Sequence, residues 1–113
     1  METSSATRLL SALSHEHRLG VFRLLVQAGP QGLPAGEIAA ELRLAAPTLS
    51  FHLAQLSNAG LLRARQDGRF IHYSADFEAM NSLVAFLTEN CCGGNPCGPQ
   101  PVACAPARKT AKR

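Results

Sequence analysis

Four cysteines, Cys91, Cys92, Cys97 and Cys104, crowd into the stretch CCGGNPCGPQPVAC, and the 113-residue chain has no others. Buried structural cysteines normally occupy apolar elements, whereas these stand among Gly93, Gly94, Asn95 and Pro96, residues that let a chain loop back on itself. Thiolates select soft acceptors. A structural zinc site commonly takes paired C-x2-C knuckles or recruits histidines, and neither pattern is present here. Cys91, Cys92 and Cys97 instead place three sulfurs in one short loop, a set suited to the pyramidal binding of trivalent arsenic, with trivalent antimony its chemical neighbour. Cys104, beyond a proline-containing stretch, reads as the spare thiol. A four-thiolate cadmium or zinc site that includes it stays open, as does oxidation of Cys91 with Cys97 in a redox sensor. No Ser, Cys or Lys is paired with a base and an orienting carboxylate, and there is no phosphate-binding glycine loop, so no catalysis is expected.

The elements upstream must give this sensor something to control. Over residues 47–59 Leu49, Leu53 and Leu56 recur at i, i+4 and i+7, one apolar stripe of an amphipathic helix. Thr48, Phe51, Gln55 and Asn58 lie on the opposite side, with Ser50 and His52 flanking. A shorter helix over 34–42 precedes it, with Pro34 in the first turn and Ile38 and Leu42 at i, i+4. After Gly60, two strands over 61–66 and 69–74 flank Asp67-Gly68, a dipeptide favoured in two-residue hairpin turns. That turn predicts Leu62 opposite Tyr73 and Ala64 opposite Ile71, with Arg63 and Arg65 sharing the other face with His72 and Phe70. Further helices are predicted near 6–13, 15–28 and 76–90. Helix, turn, helix and basic hairpin without a linker is the order of a winged helix, a mainly α fold with a β-hairpin wing. On that reading Thr48, Ser50, Phe51 and Gln55 face DNA, His52 beside the leucine stripe either packs or contacts a phosphate, and Arg63, Arg65 and Arg69 contact phosphate or the minor groove. Phe51 offers an apolar contact to a thymine methyl.

The string from Pro47 to Leu53, then Leu56, Ala59-Gly60-Leu61-Leu62 and Asp67-Gly68-Arg69 through Tyr73, resembles the recognition helix and wing of the ArsR/SmtB metal-sensing repressors. Ser14-His15-Glu16-His17-Arg18-Leu19 matches the start of that family's second helix, and the likeness spans roughly residues 5 to 90. The resemblance implies a homodimer through the first and last helices, with Leu9, Leu83 and Leu87 in the interface. It also implies a repressor that leaves its operator on binding its inducer. Family members sensing arsenic often carry a C-x-C before the recognition helix, where this chain has Pro34 and Gly36. The family's alternative zinc site on the last helix uses histidines, and residues 76–90 contain none. The C-terminal cysteines are then the sensor, as in arsenic-responsive members whose thiols have moved to the end of the last helix. Adjacent helical residues point about 100° apart, so gathering Cys91 and Cys92 on one atom is expected to unwind the last turn.

The formal charge of +3 is uneven: four of the eleven basic residues, Arg108, Lys109, Lys112 and Arg113, fall at the end, leaving seven against eight acidic up to residue 107. Nucleic-acid attraction must therefore be local, through the wing arginines. The expected organisation is a winged-helix and dimerisation domain over 1–90, a cysteine-rich inducer segment over 91–104 and a basic, unstructured tail over 105–113. No apolar run reaches membrane-span length and METSSATRLL does not read as a secretory signal, so a cytoplasmic protein is expected.

Overall fold

The computed structural model describes residues 1–94. Helices α1 (Thr3–Leu13) and α2 (Glu16–Ala28) lead into a short strand β1 (Leu33–Pro34), then α3 (Ala35–Leu42), α4 (Ala46–Asn58), the hairpin β2 (Leu62–Asp67) and β3 (Phe70–Ala75), α5 (Phe77–Leu87), and a 3-10 turn at Cys91–Gly94. This is a winged helix-turn-helix: α3 and α4 are the pair, β2 and β3 the wing.

Local chemistry sets most boundaries. The His15 imidazole Nδ1 accepts the His17 N–H at 3.1 Å and caps α2, which ends before Gly29 at φ +88. No side chain caps α4, but Pro47 in its first turn brings a preset φ, and Gly60 at φ +89 stops it. Asp76 caps α5 by accepting the Ala79 N–H at 3.0 Å. Between α3 and α4 the chain turns at Arg43, in the left-handed region at φ +57. The core beneath is Val21 and Leu25 of α2, Ile38 of α3, Leu49, Leu53 and Leu56 of α4, and Leu61, all buried.

The wing departs from the expected register. The sheet runs β1-β3-β2, all antiparallel, with Leu62 opposite Ala75, Ala64 opposite Tyr73, Arg65 opposite His72 and Asp67 opposite Phe70. The loop residues are thus Gly68 and Arg69. An Asp67-Gly68 loop of the type I′ kind needs positive φ at both residues, while the observed loop needs it only at Gly68, at φ +64. The offset also pairs Leu62 with Ala75, both buried. Because the displacement is an even number of residues, Arg63 and Arg65 still share a face with His72 and Phe70 as expected.

Two more boundaries are corrected. Pro34 does not open a helix: it pairs with His72 on the edge strand β1, where its missing N–H costs no ladder bond, and α3 starts at Ala35. Helix α5 ends at Leu87 instead of continuing to Asn90, and Asn90 and Cys92 take positive φ of +55 and +56. Cys91 and Cys92 therefore stand outside the helix, and no helical turn has to unwind to bring them together. Among the described residues no helix is long and apolar enough to cross a membrane.

Candidate nucleic-acid interface

Helix α4 buries Leu49, Leu53 and Leu56 and exposes Thr48, Ser50, Phe51, Gln55 and Asn58. Phe51 is 58% exposed, a large apolar side chain in water on the face the sequence assigned to DNA. At the wing, Phe70 and Ile71 are likewise exposed next to Arg69.

His52 takes the packing role of the two expected for it. It is 5% exposed and its ring lies 4.7 Å from that of His15 and 5.7 Å from that of His17, centroid to centroid. A side chain packed into the α2–α4 contact is not placed to touch a phosphate. Its Nδ1 is buried without a hydrogen-bond partner among the described residues. Burial, then the neighbouring His15, Arg18 and His17, push the imidazole below the ordinary histidine value of 6.5. Between that lowered value and 6.5 the unfolded chain binds more protons than the folded one, so stability rises with pH there. The stabilisation is complete above pH 6.5 and is lost as pH falls through the folded-state value. Thermal melting across this range should show that dependence, and His52→Gln should flatten it; a parallel profile for the variant would remove His52 as its source.

The three wing arginines are not equivalent. Arg63, at the base, has its Nε 3.3 Å from an Asp76 carboxylate oxygen and an NH2 group 3.8 Å from Glu78. Arg65 reaches Asp67 at 3.9 Å and donates to the Gln31 carbonyl at 3.4 Å. Arg69, in the exposed loop, has no ion-pair partner among the described residues. The sequence reading counted three equal cations and missed Asp76 and Glu78, although an Asp before an apolar helical run was a legible cap. It also missed Arg8 and Arg18, which line a polar cavity with Gln55 and Asn58.

The residues expected at a dimer interface divide as well. Leu9 and Leu83 are 4% and 6% exposed within the chain's own core, while Leu87 is 58% exposed. With Leu19 and Val84, Leu87 borders an apolar cavity of about 430 Å3 between α2 and α5, also lined by Leu13, Phe22 and Val26. Of the four cysteines, Cys91 and Cys92 lie exposed in the turn after α5, and Cys97 and Cys104 fall outside the described residues. Among the described residues no three His, Cys, Asp or Glu side chains are arranged to hold a metal ion.

A helix-turn-helix domain model matches residues 13–65. The chain is 37% identical over 87 residues to the HTH-type transcriptional regulator YgaV of Escherichia coli K12, covering 77% of this chain and 86% of that protein. It is 30% identical to the transcriptional activator HlyU of Vibrio cholerae, over 84% of this chain and 87% of HlyU. A shorter match, 36% identical over 58% of this chain and 55% of the relative, is to the arsenical resistance operon repressor of Escherichia coli K12. Among solved structures, an ArsR-like transcriptional regulator from Rhodococcus sp. RHA1 superposes with a TM-score of 0.68 at 25% identity, covering 80% of this chain and 82% of that one. With the fold, the exposed α4 face and these likenesses together, the chain belongs to the ArsR type of winged helix-turn-helix transcriptional regulators.

Proposed function

We propose that the chain is a homodimeric, cytoplasmic repressor that binds a two-fold-symmetric operator through α4 and the wing, and releases it when trivalent arsenic is held by Cys91, Cys92 and Cys97. Antimony(III) is the nearest alternative inducer. The observation that carries the DNA half is the exposed face of Thr48, Ser50, Phe51 and Gln55, together with an exposed Arg69 that has no ion-pair partner among the described residues. The arsenic half is supported by the crowded thiols and by the arsenical resistance repressor among the relatives. We place the functional division at 1–90 for DNA binding and dimerisation, 91–104 for the inducer, and 105–113 for a basic tail.

Cys91 and Cys92 follow α5 by a few residues, and α5 connects through Leu83 to the core and through Leu87 to the apolar cavity that a second subunit covers. Drawing three sulfurs onto one arsenic tightens the segment after Thr88 and pulls on the end of α5. Half-sites must be met about 34–36 Å apart, so a small change in subunit spacing weakens binding at both.

Affinity measured against salt on the upstream region and on random duplex tests the DNA contact. Arg69→Ala should lower the salt slope by roughly 1.8 on both DNAs, one phosphate contact's worth from each subunit of the dimer, while Arg63→Ala changes it less because carboxylates already hold that guanidinium. Equal slopes for Arg69→Ala and the unaltered protein would remove the wing loop from the interface. The dimer has its own test. Leu87→Glu should give a folded monomer whose operator affinity falls about a hundredfold with the loss of two-site binding, whereas Leu83→Glu should not fold, since it puts a charge inside the core. A dimeric Leu87→Glu protein by light scattering would contradict the interface.

A thiol-redox regulator, in which Cys91 and Cys97 oxidise and no metal is involved, is the second reading, supported by the same crowding of thiols. Arsenic binding requires the reduced thiolates.

A further inference from the structure

A cavity of about 270 Å3 lies between α1, α2 and the C-terminal half of α4, and its polar lining is Arg8, Ser11, Arg18, Gln55 and Asn58. Each of these side chains offers a hydrogen-bond donor and none is a carboxylate. Up to residue 107 the chain has seven basic against eight acidic residues, so two arginines at one site with no acid in the lining make a local positive potential that the overall charge conceals. Among the described residues neither arginine enters an ion pair. Arg18 is also held in place: its Nε–H donates at 2.7 Å to the carbonyl of Ala12, one of the acceptors left open at the end of α1. That bond fixes the guanidinium plane and leaves both NH2 groups for another acceptor, the fork geometry that matches a phosphate.

We propose that this cavity is a phosphate-binding site, and that in the DNA complex it grips a backbone phosphate beside Gln55 and Asn58 of α4. The DNA source of the phosphate rests on the operator-binding reading above; the site itself does not. Being sequence-independent, it sets the position of α4 along the duplex without choosing bases.

Arg8 is exposed, so its replacement tests the site without disturbing the core. In the full chain, Arg8→Gln should lower the salt slope by about 1.8, one contact from each subunit of the dimer, on operator and random duplex alike, and Arg8→Lys should restore it. Separately, DNA-free protein is melted in sodium phosphate and in sodium chloride at matched ionic strength. If phosphate raises the melting temperature of the unaltered protein but not of Arg8→Gln while the DNA slope is unchanged, the site stands and its ligand is free phosphate. If the unaltered protein binds no DNA, the operator reading fails and the melting comparison alone decides the site. An unchanged slope together with no phosphate-dependent stabilisation overturns the proposal.

Discussion

Gly32→Ala is expected to destabilise the protein by roughly 3 kcal/mol, lowering the melting temperature by about 12–24 °C for a domain of this size. Gly32 sits at φ +72, where an L side chain alone costs about 1–2 kcal/mol. A Cβ there would also collide with the carbonyl oxygen and carbon of Tyr73, backbone atoms of the central strand that have no rotamer to escape into. Gly32 leads directly into β1, so relief of the clash means parting Leu33 and Pro34 from β3 and freeing the wing from its third strand. Thermal melting with far-UV circular dichroism measures the loss. A variant melting within a degree or two of the parent would show that the close approach is not retained in solution.

Single Cys91→Ser, Cys92→Ser and Cys97→Ser variants should bind operator as the parent does and fail to release it with arsenite, a loss of about a hundredfold in response for a coupling of roughly 3 kcal/mol. Hydroxyl is a poor ligand for a soft acceptor, and these residues lie outside α4 and the wing. Cys104→Ser should respond nearly normally. If it is as defective as the others, the site is four-coordinate and cadmium or zinc becomes the better inducer; if none is defective, the thiols are not the sensor.

The helix-turn-helix pair was legible because Leu49, Leu53 and Leu56 on α4 and Ile38 on α3 keep a strict helical period and are buried as that period requires. The hairpin was legible from its turn dipeptide and the alternation around it, and its faces survived because the register error was even. The turn type was not, since which residue of Asp67-Gly68-Arg69 takes positive φ depends on pairing across the whole hairpin. Strand β1 has two residues, too few for any period, and exists because Gly32 lets the chain approach Tyr73 closely. His52, next to the leucine stripe, was legible as either packing or phosphate-contacting; the buried arc of α4, from Leu49 through His52 to Ala59, selects packing. The same periodicity put Leu83 and Leu87 on one apolar stripe but did not say which meets the core and which projects from it. That difference arises from how α5 crosses α1 and α2. The charges of Arg63 were visible in sequence, while the carboxylates of Asp76 and Glu78 reach it only once α5 is docked beside the wing.

The most direct test is a titration of the unaltered, fully reduced protein on fluorescent DNA from its own upstream region, with arsenite, antimonite, cadmium and zinc added in turn. We expect tight, salt-sensitive binding in their absence and release by arsenite, with antimonite the nearest competitor, at concentrations where cadmium and zinc leave the complex intact. DNA that stays bound at saturating arsenite but is released by a thiol oxidant would contradict arsenic sensing and make the cysteines a redox switch.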